Sequence, residues 1–307
     1  MEIRILHFYP DLMSLYGSYA NVSILKRTLE AMGNSVTVER VELGGDADLT
    51  HADFVYMGAG TERAQKAALL NFSKLGDAVK AAADAGVTML FAGNSMELLG
   101  KTITDDAGKV YEGLGLAGFA SVQNKKRFVE DVYGHTDLYE DAVVGFINRC
   151  SVITGVETPL LTSMDMGHGN EGPCGPEGYH CGSVFASQLT GPILVKNPAL
   201  LKVMVQAVYR HRDQECPEIP VDDYMAQGWA ITAEELKARR EAFLKRGLTI
   251  DGRGNGNFPQ ISQMTQIHSE EVPDAGKTVK SVLSVGPEDN TPAGTGNFPQ
   301  ISQMTQI

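Results

Sequence analysis

The sequence predicts an α/β fold, with a mostly parallel sheet covered by helices on both faces and followed by a C-terminal helix and a flexible tail. Three observations predict it. Short apolar runs alternate with segments of helical period through the first hundred residues. Those runs end in small, glycine-containing stretches at Gly58-Ala59-Gly60 and Ala92-Gly93-Asn94-Ser95. The alternation stops beyond Gly247, where Gly, Pro, Ser, Thr, Asn and Gln dominate.

The elements follow in order. Ile3, Ile5, Leu6 and Phe8 form a strand. Val22, Leu25, Leu29 and Met32 recur at helical spacing, and Gly33 stands where a helix-ending glycine belongs. Val36 to Leu43 and Phe54 to Met57 read as strands two and three. A helical region runs from Glu62 to Ala85, with a break at Gly76, and Gly86 stops it. Val87 to Phe91 is a fourth buried strand, leading into a short helix to about Leu99. In such sheets the ligand crevice lies at the carboxyl ends of the strands, so both glycine stretches border it. From Phe119 to Leu194 the sequence reads as short β-segments separated by Gly-rich loops. Asn197 and Pro198 read as the N-cap and first residue of a helix carrying Leu200, Leu201, Met204 and Val208. Thr232 and Glu235 suggest a capping box for a charged helix ending near Gly247. The expected division is a domain over 1–212, a helical extension over 213–247 and a disordered tail over 248–307. The tail repeats GNFPQISQMTQI word for word, from Gly256 to Ile267 and from Gly296 to Ile307. Two copies are too few for a solenoid; the repeat reads as a duplication without function or as a pair of docking motifs anchored on Phe258/Ile261 and Phe298/Ile301.

The net charge of −12 argues against a nucleic-acid partner, because an acidic surface repels phosphate backbones. No apolar run reaches the length of a membrane helix, and the first residues read as a strand rather than a signal peptide. Cys150, Cys174, Cys181 and Cys216 are scattered without a CxxC pair, which suggests reduced thiols and a cytoplasmic protein. His168, Cys174, His180 and Cys181 lack the close spacing of a structural zinc site, so neither metal nor cofactor is expected. Cys181 adjoins His180, and neighbours on a strand face opposite ways, so the two are not expected to act as a dyad.

Several segments, taken together, resemble one family. Tyr9-Pro10-Asp11-Leu12-Met13, Leu15-Tyr16-Gly17 and Asn21 resemble the opening of GatD-type subunits, the glutamine amidotransferase partners in lipid II isoglutaminyl synthase. Gly58 to Gln65, Leu98-Leu99-Gly100, Gly113 to Leu116, Val144-Gly145-Phe146 with Asn148, and Gly191 to Leu194 with Lys196-Asn197 follow in the family's order. The resemblance covers about residues 3–210. It implies a class I, cobyric acid synthase-like amidotransferase with a flavodoxin-like sheet. Such subunits hydrolyse glutamine and pass ammonia to a MurT-like partner of the Mur-ligase family. That partner uses ATP to amidate the D-glutamate of the peptidoglycan stem peptide.

The chemistry needs a thiolate nucleophile, a histidine to shuttle the proton, and N–H donors for the oxyanion. By the resemblance, the nucleophile position falls on Gly93 and the histidine position on Thr190. Glycine offers no nucleophile, and a threonine hydroxyl does not titrate near neutral pH. Ser18 stands where the family carries an acidic residue. Gly58 and Gly60 are expected to keep a tight turn with exposed N–H groups, Ala59 being a small departure. Arg127 matches the family's glutamine-binding arginine; on its own it reads equally as part of a solvated basic turn with Lys125 and Lys126. Ser95 reads as an N-cap rather than a displaced nucleophile, since Glu97 occupies the glycine position that a serine elbow requires. Cys150 has no evident base.

The expected protein is therefore a GatD-like subunit, heterodimeric with a MurT-like ligase, that lacks the glutaminase half-reaction. The alternatives are an amidotransferase with a displaced nucleophile and an amino-acid-binding regulatory module.

Overall fold

The computed structural model describes residues 1–245; the duplicated tail lies outside them. The chain forms β1 (Glu2–Phe8), α1 (Ala20–Ala31), β2 (Ser35–Val41), β3 (Phe54–Met57), α2 (Glu62–Phe72), α3 (Gly76–Asp84) and β4 (Thr88–Ala92). A 3-10 turn over Gly93–Leu99 leads to β5 (Thr102–Thr104), β6 (Val110–Glu112), β7 (Ala120–Thr136), β8 (Tyr139–Thr154), β9 (Ser163–Met166), β10 (Tyr179–Cys181) and β11 (Val184–Ser187). Helices α4 (Ile193–Lys196), α5 (Pro198–His211) and α6 (Asp223–Lys245) complete the described chain.

The main sheet has the order β10-β11-β4-β3-β1-β2, parallel throughout except for the β10 edge. Its two faces follow from the period of two along each strand. Ile3, Ile5, Phe54, Tyr56, Leu90 and Ala92 face a core shared with α1 and α5. Leu6, Phe8, Val55, Met57, Met89 and Phe91 face a second core shared with α2 and α3. Gly33 follows α1 at a φ of +83°, as its position in the sequence suggests, and the Asn34 N–H donates back to the Leu29 carbonyl. The long helical region breaks at Gly76, where α3 begins.

The second half departs from expectation. In place of short β-segments, β7 and β8 form one long antiparallel hairpin, joined by β5, β6 and β9 in a second sheet. Gly134 and Gly145 sit inside those strands, while the Gly-rich stretch from Gly167 to Asn170 lies between β9 and β10. A Cβ added at Gly145 would lie 2.6 Å from Leu189 Cδ2, so that glycine marks close packing rather than a turn. Helix α5 starts at Pro198 with Asn197 at the N-cap position, as expected, but the Asn197 side chain makes no capping bond. Its side chain instead accepts from the Val144 N–H (2.8 Å) and donates to the Val144 and Ile193 carbonyls, tying α4 to β8. The expected capping box is absent too, because α6 begins earlier. Asp222 Oδ1 accepts from the Met225 N–H at the helix start, and Thr232 lies mid-helix with its hydroxyl on the Gly228 carbonyl. Helix α6 packs Ala233, Leu236 and Phe243 against Tyr133, Ala142, Val144 and Met166 of the second sheet.

Candidate functional site

The parallel strands deliver their carboxyl ends to one place. A cavity of about 160 Å3 is lined by Ala59 and Gly60 after β3, Asn94 and Glu97 after β4, and Thr190 after β11. Leu15 and Tyr16 come from the loop after β1, and Arg127, Asn148, Arg149 and Cys150 from the hairpin. This is the crevice that a sheet of this topology offers a ligand.

Gly93 opens the 3-10 turn at a φ of +70°, the left-handed conformation of a sharp strand-to-helix elbow. A Cβ built on it would point to Thr190, 3.6 Å from the threonine methyl. The two positions singled out in the sequence are therefore neighbours. The same Cβ would meet the Ala59 methyl at 2.6 Å, closer than carbon atoms pack. Ala59 is thus more than a small departure: its methyl crowds the point where a side chain on residue 93 would begin. The Thr190 hydroxyl donates to the Phe146 carbonyl at 3.2 Å.

The glycine turn keeps its shape but not its open donors. A Cβ at Gly58 would collide with the Ser18 hydroxyl and the Met13 carbonyl, and one at Gly60 with the Met13 sulfur, so neither position admits a side chain. Ser18 is fully buried, with no hydrogen-bond partner for its hydroxyl among the described residues. The Gly60 N–H, expected to be exposed, donates to Asn94 Oδ1 at 2.9 Å, and Asn94 Nδ2 donates to the Gly60 carbonyl at 2.8 Å. One amide side chain therefore takes both backbone groups of the residue expected to hold an oxyanion.

Arg127 lies on β7 at a bulge between Gln123 and Phe128, not in a basic turn. All three guanidinium nitrogens are engaged: Nη1 with Glu62 (2.6 Å), Nε with Asn148 Oδ1 (2.8 Å) and Nη2 with the Asn148 carbonyl (3.0 Å). Burial pushes the Glu62 carboxyl up, but the hydrogen bond and charge of Arg127 outweigh it and leave Glu62 below the usual carboxylate range.

Neither alternative nucleophile is poised. Ser95 is fully buried inside the turn, and its hydroxyl donates to the Met57 (2.9 Å) and Ala92 (3.0 Å) carbonyls, so it is neither an N-cap nor exposed to the cavity. Cys150 does line the cavity, with its thiol on Glu62 Oε1 at 3.4 Å. Burial and the charges of Glu62 and Glu97 push that thiol up to about 12, so it stays protonated at neutral pH. His180 and Cys181 sit on β10 as neighbours, the imidazole stacked on Phe185. All four cysteines are free thiols. Among the described residues no cluster of His, Cys, Asp or Glu could hold a metal ion, and no helix is long and apolar enough to cross a membrane.

Sequence reasoning missed the floor of the cavity. Glu97, 1% exposed, accepts hydrogen bonds from Ser151 (2.8 Å), Gln123 (3.2 Å) and Gln188 (3.3 Å). Gln123 continues to Gln65, whose amide donates to the Asn94 carbonyl at 2.6 Å. Arg149 is 2% exposed, and burial lowers its affinity for a proton. Arg149 and Ser151, polar residues within a β-like segment, were the available signal, and it does not say which face they take.

Comparison with known proteins agrees with this topology. Residues 4–198 match the model of the CobB/CobQ-like glutamine amidotransferase domain. The GatD subunit of lipid II isoglutaminyl synthase (glutamine-hydrolyzing) from Streptococcus pneumoniae is 28% identical over 78% of this chain and 94% of its own length. Its counterpart from Staphylococcus aureus is 29% identical over 64% of this chain and 80% of its own. A solved glutamine amidotransferase from Thermotoga maritima superposes with a TM-score of 0.42 at 11% identity, covering 80% of this chain and 98% of that one; the fold assignment rests on the sheet order instead. The chain belongs to the CobB/CobQ-like glutamine amidotransferase family and is of the GatD type within it.

Proposed function

We propose that the protein is a non-hydrolytic GatD-like subunit of a lipid II isoglutaminyl synthase-type complex, working in the cytoplasm as a heterodimer with a MurT-like ligase. The observation that carries this reading is the elbow. Position 93 has no side chain, and the Ala59 methyl lies 2.6 Å from where one would start. Thr190 in place of a base and the Asn94–Gly60 pairing support it, since each removes a different part of glutamine hydrolysis. The relatives named above are glutamine-hydrolyzing by name, so the loss would belong to this chain rather than to the type. In this reading the subunit stabilises or regulates the ligase, which draws on free ammonia or another donor.

Co-expression with a Mur-ligase-like protein should yield a complex that survives size-exclusion chromatography. That complex should incorporate nitrogen from labelled ammonium into the stem-peptide amide, and none from amide-labelled glutamine. Failure to form a complex would remove the subunit role; label arriving from glutamine would restore a hydrolytic one.

A second reading, an amino-acid-binding module, is favoured by the survival of the cavity with Arg127 in its wall. In that reading Arg127 takes part in ligand binding, and nothing bound is hydrolysed.

A further inference from the structure

Away from the crevice, helices α1 and α6 flank an open groove of about 600 Å3. Ile24 of α1 and Val195 of α4 line it, together with Tyr224, Gly228 and Trp229 of α6. Tyr224 is 87% exposed, and Ile231, two turns further along α6, is 69% exposed. Large apolar side chains left in water beside an apolar groove mark an interaction surface. The charged residues in the lining are already engaged. Arg27 pairs with Asp222 at 2.8 Å, and the Lys196 ammonium lies over the Phe146 ring at 5.2 Å. The groove therefore suits a neutral, apolar segment, since a charge brought into it would find no free partner.

We propose that this groove binds the first copy of the repeated segment in the chain's own tail, with Phe258, Ile261 and Met264 as anchors. That segment lies outside the described residues, and its sequence matches the groove in three ways. GNFPQISQMTQI contains no Lys, Arg, Asp or Glu, although the chain carries a net charge of −12. Its large apolar residues fall on every third position: Phe258, Ile261, Met264 and Ile267. Three residues per turn is the period of polyproline II, which would set all four on one edge, and Pro259 has the φ of that conformation. Aromatic-lined grooves take such segments, and Tyr224 and Trp229 supply the aromatic rings here. The third match is reach. Helix α6 is one wall of the groove and runs to Lys245, about 24 Å along the helix from Trp229. Residues 246–257 span up to about 40 Å when extended, so Phe258 can return to the groove of its own molecule. A tether this short gives an effective concentration of about 1 mM, so a modest intrinsic affinity fills the groove.

The test uses the full chain carrying Phe258→Ser and Ile261→Ser, with Phe298→Ser and Ile301→Ser so that the identical second copy cannot substitute. Synthetic GNFPQISQMTQI, dye-labelled for anisotropy, should bind this vacated chain saturably, with a Kd below about 0.1 mM. The unlabelled peptide should shield Trp229, the single tryptophan of the sequence, from acrylamide quenching. The unaltered chain should bind the labelled peptide at least about tenfold more weakly, because its tethered copy competes. Gly228→Arg in the vacated chain should also weaken the peptide at least about tenfold, by filling the groove. A Cβ at Gly228 meets nothing within 4 Å, and replacing a glycine within a helix favours the helix, so the fold is kept. No saturable binding up to about 1 mM would overturn the proposal. Equal affinity for the unaltered and vacated chains, or indifference to Gly228→Arg, would do the same. A dimer of the unaltered chain that dissociates with the four serine substitutions would place the segment on a second copy and overturn docking within one chain.

Discussion

Gly93→Cys destabilises the protein by about 2–4 kcal/mol and confers no glutaminase activity. The magnitude combines two costs. A non-glycine residue at a φ of +70° costs about 1–2 kcal/mol. Forcing a Cβ to within 2.6 Å of the Ala59 methyl adds an overpacking cost of about 1–3 kcal/mol, relieved in part by small shifts. The second cost has a specific remedy. Ala59→Gly in the same chain removes the colliding methyl, so the double variant should recover about 1–2 kcal/mol relative to Gly93→Cys alone. Urea unfolding of the two single variants and the double variant measures the coupling. Additive effects within about 0.5 kcal/mol would show that the elbow accommodates a side chain without regard to Ala59. The backbone cost remains in both variants, as it does for any nucleophile held on such an elbow.

Glu97→Ala carries the other large effect, about 3 kcal/mol of destabilisation. Three donors converge on this carboxylate: the Ser151 hydroxyl and the Gln123 and Gln188 amides, all buried. Each buried donor left unpaired costs about 1–3 kcal/mol, and the Ser151 hydroxyl can turn to limit its share. Gln123 also bonds Gln65, which in turn holds the Asn94 carbonyl. Losing Glu97 therefore loosens the residue that seals the glycine turn as well as the floor beneath it. Chemical denaturation quantifies the loss of stability. Proton exchange at the Gly60 amide, now bonded to Asn94, should speed up more than the global change accounts for. An effect below about 1 kcal/mol would mean that the network contributes little.

The main sheet was legible because its strands are short, apolar on both faces and punctuated by glycine. Ile3 and Ile5 against Leu6 and Phe8 already announce two cores. The positions of Gly93 and Thr190 were legible through the segments flanking them, and the structure brings the two together. The β7–β8 hairpin was legible only in part: Val144-Gly145-Phe146 read as a strand, but the pairing that makes β7 and β8 continuous is a long-range fact, with Gly134 and Gly145 as sites of close approach by Met164 and Leu189. Helix α6 was misplaced for a similar reason. Thr232 and Glu235 have the local chemistry of a helix start, but packing against the second sheet extends the helix back to Asp223. Within the site, the consequences of Ala59 and Asn94 depend on the distance between the ends of β3 and β4, which no local pattern encodes. Arg127 could be found by resemblance, yet its pairing with Glu62 and Asn148 is a tertiary fact. Arg149 escaped notice because a charged residue inside a strand reads as solvent-facing until the burial of that strand is known.

These corrections bear on one claim, that the scaffold of a glutamine amidotransferase is retained without the hydrolytic step. Incubation of the purified full chain with glutamine, alone and with its ligase partner, followed by direct quantification of glutamate, tests it most directly. The account predicts no glutamate above the rate of the buffer, with or without the partner and with or without Gly93→Cys. Sustained turnover by the unaltered chain, abolished by Cys150→Ala or Ser95→Ala, would contradict it.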